Sequence, residues 1–106
     1  MKTREEVPDY LHATYDMLKC VFPDGIPEEE YWSVMVLIHP FMSFGPLADT
    51  VCAVMDKNRY EIYNDASGFG LDPMPDASET EKVKQKLDAC GYAAWAAKNT
   101  FPPYIP

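Results

Sequence analysis

The chain contains 106 residues, a length that corresponds to one domain. Hydrophobic residues make up 47% and charged residues 25%, which is typical of a globular protein and excludes disorder as the dominant state. Asp and Glu number 17 against 9 Lys and Arg, so the formal net charge is −8. Nucleic acids and anionic membranes attract basic proteins, so this charge predicts neither as a partner. It permits a basic or neutral protein partner.

The cysteines predict a reduced, cytoplasmic protein. The chain contains an odd number of cysteines, and the three are widely spaced: Cys20, Cys52 and Cys90. A small secreted domain usually carries an even and denser set, so we expect free thiols. Residues 1–6 contain no apolar run after their basic side chains, and we therefore expect no signal peptide.

Residues 31–48 contain no Asp, Glu, Lys or Arg, and their length reaches the lower bound for a membrane span. However, Pro40, Gly45 and Pro46 interrupt the stretch, and His39 adds a polar side chain. A buried helix followed by a turn is therefore the better interpretation.

The first predicted helix covers residues 8–22. Pro8 suits the first position of a helix, and apolar side chains recur with helical spacing from Leu11 to Phe22. The sequence Pro23-Asp24-Gly25 then ends the helix.

The second predicted helix begins at Pro27 and is expected at the centre of the fold. Residues 28–30 are all Glu, and carboxylates in a first turn face the positive end of the helix dipole. Residues 31–38 carry apolar side chains in every direction of a helical wheel. Their Val and Ile content would also suit a buried strand, but the acidic first turn favours a helix. The pair His39-Pro40 ends it.

The third predicted helix covers residues 46–57, and an irregular connection over residues 58–77 follows it. Four Gly and Pro residues interrupt that connection. The pattern of Tyr60, Ile62 and Tyr63 fits a short helix and an extended segment equally well.

The last predicted helix covers residues 79–90. Ser78 and Glu81 have the spacing of a capping box, and Gly91 is placed to close the helix in a left-handed conformation. Residues 99–106 are predicted to form an extended, Pro-rich tail. Residues 1–106 are therefore predicted to form one all-α domain, a small irregular bundle of four to five short helices.

His12, Asp16 and Cys20 share one face of the first helix and invite comparison with a nucleophilic triad. Their spacing separates His12 from Cys20 by about 12 Å, whereas a base must lie within about 3 Å of its nucleophile. Asp16 would also raise the pKa of the thiol instead of lowering it. We interpret the three residues as a solvated polar face.

We expect neither a metal ion nor a cofactor. The chain has 2 His residues, and its cysteines have no near neighbours of their own kind, whereas zinc needs about three to four ligands. His39 is expected to cap the carbonyls at the end of its helix. Residues 65–72 do not match a calcium-binding loop, because Phe69 stands where an oxygen ligand is needed. Residues 67–70 lack the Lys that completes a phosphate-binding loop.

Aromatic residues make up 13% of the chain and divide into two groups. One group lies in predicted helices and is expected in the core: Tyr15, Phe22, Tyr31 and Trp32. The other lies in the irregular connection and the tail: Tyr60, Tyr63, Phe69 and Tyr104. Exposed aromatic side chains are typical of protein interfaces, so the second group is the predicted partner contact.

Residues 22–31, which read Phe-Pro-Asp-Gly-Ile-Pro-Glu-Glu-Glu-Tyr, resemble a motif of a small, mainly actinobacterial family catalogued as a domain of unknown function. An apolar helix follows the motif, and residues 47–55 and 79–92 resemble the later helices of that family. The likeness spans about residues 11–95. The family has a basic patch after the apolar helix, where residues 39–42 of this chain read His-Pro-Phe-Met. The resemblance implies a compact all-helical fold and brings no catalytic residues.

The sequence therefore predicts a non-enzymatic module that binds another protein, as a monomer or a weak homodimer. One alternative is an immunity-like or antitoxin-like protein that sequesters a basic partner. An alternative of another class is a small enzyme that uses a reactive Cys20 or His39.

Overall fold

The computed structural model describes residues 2–68 and 75–99, which are helical and contain no strand. Within these ranges, six α-helices occur in chain order: α1 (His12–Val21), α2 (Tyr31–Ile38), α3 (Phe44–Val54), α4 (Arg59–Ser67), α5 (Ala77–Ala89) and α6 (Tyr92–Asn99). Short 3-10 turns accompany them at Arg4–Glu6, Asp9–Leu11, Glu28–Glu30 and His39–Phe41. The predicted all-α class is confirmed, with six helices in place of four to five.

Helix α2 lies at the centre, as its apolar composition predicts. Six of its eight residues are buried, and Tyr31, Met35 and Ile38 have no accessible surface. The 3-10 turn Glu28–Glu30 leads into α2, so the acidic residues do mark its beginning. Within the described ranges, no helix is both long and apolar enough to cross a membrane.

The N-terminal segment and the loop after α1 are tied to the end of α3. The backbone N–H of Lys2 donates to the carbonyl of Ala53 over 3.0 Å, and that of Ile26 donates to Val54 over 2.9 Å. The Tyr15 hydroxyl on α1 also donates to the carbonyl of Lys2, at 2.8 Å. These bonds fix α1 across α3.

Helix α4 corrects the prediction of an irregular connection over residues 58–77, because residues 59–67 of that stretch are helical. Asn58 begins the helix, since its side-chain oxygen accepts hydrogen bonds from the backbone N–H groups of Tyr60 and Glu61. Ile62 and Ala66, one turn apart, are buried against the core. The sequence does contain this short apolar stripe, but the Gly and Pro residues that follow it favoured the prediction of an irregular connection.

The beginning of α5 corrects the predicted capping box. The helix starts at Ala77, and its cap is Asp76, whose carboxylate accepts from the backbone N–H of Ser78 at 3.4 Å and from its hydroxyl at 2.9 Å. Asp caps a helix as well as Ser does, so the helix begins two residues earlier than the predicted capping box at Ser78.

The end of α5 follows the sequence more closely. Gly91 has a φ of 92°, the left-handed conformation expected after that helix. The chain then continues as α6 through Asn99, so the predicted tail cannot begin at residue 99. Residues 100–106 lie outside the described part of the chain.

A disulfide joins Cys20, near the end of α1, to Cys90, which caps α5. The prediction of reduced thiols is wrong for these two residues, whereas Cys52 is free. The paired cysteines lie 70 positions apart in sequence, and only the packing of α1 against α5 brings their Cα atoms within 6.0 Å. Spacing alone gave no sign of this pairing.

We expect reduction of the Cys20–Cys90 disulfide to lower the free energy of unfolding by about 2–4 kcal/mol, because the unfolded chain then gains conformational entropy. Urea unfolding followed by circular dichroism, with and without a phosphine reductant, measures the difference. Cys52→Ser is the matched control and should show the same response to the reductant as the wild type. An unchanged unfolding midpoint in both proteins would contradict the expectation.

Candidate interaction surface

Exposed aromatic side chains concentrate on α3 and α4. Within the described ranges, the large hydrophobic side chains classed as exposed are Tyr10, Phe44, Tyr60 and Tyr63. Phe44 begins α3, and Tyr60 and Tyr63 lie on α4, which packs closely against α3. We call Phe44, Tyr60 and Tyr63 the aromatic surface.

The local sequence explains why α4 presents its tyrosines outward. Ile62 and Ala66 occupy the face turned to the core, while Tyr60 and Tyr63, three positions apart, share the face turned to solvent. Tyr60 is 73% exposed and Tyr63 is 39% exposed. Because the buried pair fixes the rotation of the helix, the two tyrosines are held in place by the core.

Ring contacts order the aromatic surface. The Phe44 and Tyr63 rings meet edge to face, with centroids 6.0 Å apart. The Arg59 guanidinium lies 6.0 Å from the centre of the Tyr60 ring and donates to the carboxylate of Asp49 on α3. The ion pair therefore joins the beginning of α4 to α3 and positions a cation beside Tyr60.

The four residues predicted to contact a partner divide into two pairs. Tyr60 and Tyr63 lie next to each other on one exposed helix face. Phe69 and Tyr104 lie outside the described residues. Phe44 was missed, because nothing in the sequence distinguishes it from Phe41, whose ring packs against the aromatic rings of α6.

A polar cluster joins the beginning of α2 to α4. The hydroxyl of Tyr31, a residue without accessible surface, donates to the Asp65 carboxylate over 2.7 Å. Burial raises the pKa of Tyr31 far above its ordinary value, and the hydrogen bond to Asp65 raises it further. The hydroxyl therefore keeps its proton and remains a donor throughout the physiological range.

Lys57 closes this cluster from the side of solvent. Its Nζ lies 4.3 Å from the centre of the Tyr31 ring, 3.0 Å from the Glu28 carboxylate and 3.6 Å from that of Glu61. Burial works to lower the pKa of Lys57, but the hydrogen bond and charge of Glu28 outweigh it, so the pKa is raised. Lys57 therefore remains a cation that links three segments of the chain.

We expect Lys57→Met to lower the free energy of unfolding by about 1 kcal/mol, because the variant keeps an apolar stem but removes the ammonium group that faces Glu28 and the Tyr31 ring. The side chain of Lys57 is only 12% exposed, whereas Lys82 on α5 is exposed. Lys82→Met is therefore the matched control and should change the unfolding midpoint in urea by much less. Equal losses in the two variants would show that the cluster adds no stability.

The structure directs His12, Asp16 and Cys20 to different partners. The Nε2 of His12 donates to the Val7 carbonyl over 2.8 Å. Asp16 accepts a hydrogen bond from Arg4 at 2.8 Å, and Cys20 is oxidised in the disulfide. The three side chains therefore do not converge on one reacting atom.

His39 lies where α2 passes into the next 3-10 turn, and burial lowers the pKa of its imidazole. Its backbone N–H donates to the Met35 carbonyl, while the predicted capping by its side chain stays a prediction. In the part of the chain that the structure describes, no group of three or more His, Cys, Asp or Glu side chains could hold a metal ion.

An open groove of about 390 Å³ lies between α1 and α6, beside the disulfide. Met17 and Trp95 line its apolar part, and Asp16 and Lys98 supply charged groups. The Trp95 indole N–H donates to the hydroxyl of Thr14 over 2.8 Å, and this buried bond joins α6 to α1.

Comparison of the chain with protein-family models, curated proteins and solved structures found no match. The resemblance of residues 22–31 to an actinobacterial family therefore stays a prediction. Support for a function comes from the contacts described above.

Proposed function

We propose that this protein is a non-enzymatic module that binds another protein through the aromatic surface of Phe44, Tyr60 and Tyr63. The observation that carries the proposal is the juxtaposition of these exposed rings with Arg59 on two closely packed helices. Tyr and Arg dominate the energetics of protein interfaces, because they bury a large area while keeping polar groups available.

The contacts within the aromatic surface support this role. Phe44 holds Tyr63 through an edge-to-face contact, and Asp49 holds Arg59 through an ion pair. Side chains that are ordered before binding lose less conformational entropy in the complex. Such a surface gains more affinity from the same contact area than a mobile one.

The charge of the chain favours a partner with basic groups. The net charge is −8, and Glu61 on α4 has a side chain that is 60% exposed next to Tyr60. Complementary charges at the rim of an interface accelerate encounter and exclude acidic competitors. We propose that the partner places apolar side chains on the rings and basic side chains around them, and that the module itself is a monomer or a weak homodimer.

An immunity-like or antitoxin-like role is the second candidate, and the net charge of −8 favours it. Such a protein would mask a basic surface mainly through electrostatic attraction. Its affinity would fall steeply with salt, since the screening length is only about 8 Å at physiological ionic strength. An interface dominated by the rings would depend on salt much less.

Affinity capture from the native host tests the proposal. Wild type, Tyr60→Ala/Tyr63→Ala and Tyr10→Ala serve as baits. Tyr10 is 70% exposed but lies in the turn before α1, so it controls for the loss of an exposed tyrosine elsewhere. We expect a partner that the wild type and Tyr10→Ala retain, and about a tenfold or greater loss of affinity for the double variant in calorimetric titration.

Circular dichroism must first show the same helix content for the three baits. Equal retention of every captured protein by the double variant and the wild type would then contradict binding through Tyr60 and Tyr63. A partner lost only by Tyr10→Ala would move the interface to the turn before α1.

The Cys20–Cys90 disulfide bears on the predicted cytoplasmic location. Disulfides persist in oxidising compartments and are mostly reduced in the cytoplasm, so we propose that a cytoplasmic chain would carry Cys20 and Cys90 largely as thiols. Acid quenching of the cells, followed by alkylation of all free thiols in denaturant and mass spectrometry, distinguishes the two cases. Three alkylated cysteines per chain would support the cytoplasm, whereas alkylation of Cys52 alone would support an oxidising compartment.

A further inference from the structure

The disulfide lies at the surface, and its two halves differ in exposure. Cys20 is exposed, whereas Cys90 is half-buried where it lines the groove between α1 and α6. An attacking thiolate must reach one sulfur from solvent while the other sulfur leaves. Access therefore favours attack on Cys20, with Cys90 as the leaving group.

We propose that Cys20 is a thiol-exchange site, at which a low-molecular-weight thiol of the glutathione type enters the protein. The thiolate of the small molecule attacks Sγ of Cys20, the Cys20–Cys90 bond breaks, and Cys90 leaves as a thiolate that takes up a proton from water. The product is a mixed disulfide on Cys20. A second small thiol then attacks its own counterpart in that mixed disulfide, which yields the small-molecule disulfide and Cys20 as a thiol.

The packing of α6 indicates that this exchange takes place in the folded protein. The Trp95 indole donates to the Thr14 hydroxyl over 2.8 Å, and the Tyr92 hydroxyl donates to the Leu37 carbonyl over 2.7 Å. Both bonds are buried and neither involves a cysteine. They hold the chain after Cys90 against α1 and α2, so the released thiol stays near Cys20 and can expel the small thiol again.

The third cysteine does not compete for the small thiol. Cys52 is half-buried on α3, and its thiol donates to the Asp49 carbonyl over 3.3 Å. Burial also raises the pKa of Cys52, which lowers the fraction of reactive thiolate. Cys52→Ser therefore serves as a control that leaves the exchange unchanged.

Exchange on the oxidised full-length chain tests the proposal directly. The protein is incubated with reduced glutathione and quenched with acid, and the adducts are located by peptide mass spectrometry. We expect about tenfold more glutathione on Cys20 than on Cys90 at early times. Predominant modification of Cys90, or equal modification of the two residues, would overturn the assignment.

Single variants provide a second readout with glutathione disulfide as the probe. In Cys90→Ser, the Cys20 thiolate attacks the probe, releases one glutathione and retains the adduct, because no neighbouring thiol can displace it. Cys20→Ser should react at Cys90 about tenfold more slowly, since that sulfur is less accessible. Equal rates in the two variants would contradict the proposal.

Circular dichroism of the reduced wild type decides whether the exchange belongs to the folded protein. We expect the helical signal to persist after reduction. We also expect the disulfide to re-form when the reductant is replaced by glutathione disulfide, which accepts the two electrons and leaves as two molecules of reduced glutathione. Loss of the helical signal on reduction would overturn the proposal, because exchange would then be a step of unfolding. These outcomes do not depend on the aromatic surface, so the proposed binding function can fail while the exchange site stands.

Discussion

The fold depends on enclosing α2, a helix too short to be stable in water and apolar on every face. Its stability must come from neighbours that cover it on all sides. The buried polar groups at its two ends require specific partners, since an unpaired group there would destabilise the fold. At the beginning of α2, the Tyr31 hydroxyl donates to the carboxylate of Asp65 on α4. At its end, the Leu37 carbonyl accepts a hydrogen bond from the hydroxyl of Tyr92 on α6. The placement of α4 and α6 follows from these two needs.

Because the inward faces of the surrounding helices pack on α2 and the core, only their outward faces are available to contact a partner. Ile62 and Ala66 occupy the face of α4 that is turned to the core, so Tyr60 and Tyr63 are left on the face turned to solvent. The disulfide is held on another part of the surface by the packing of α1 against α5. The proposed binding through the rings and the proposed exchange at the sulfurs therefore involve separate parts of the surface, so a substitution in one leaves the other in place.

The elements that could be predicted from sequence are those whose signal is local. Helix α2 was predictable from its acidic first turn and continuous apolar run, and Gly91 from its position after α5. Helix α4 could not be predicted in the same way. Its apolar face consists of only two residues, its cap is polar, and Gly and Pro residues follow it. The disulfide and the contact of Phe44 with Tyr63 depend on chain segments that only tertiary packing brings together. Two residues of the candidate surface, Tyr60 and Tyr63, could therefore be predicted from the sequence, but the geometry of the surface could not.

The bond between Cys20 and Cys90 also makes residues 20–90 a covalent ring. If a protease nicks one peptide bond within that ring, the two fragments remain a single molecule until the sulfurs are reduced. The connection between α4 and α5 lies inside the ring, so new chain ends created there would still be tethered through α1 and the end of α5. The disulfide would therefore keep all six described helices in one covalent molecule after such a cut.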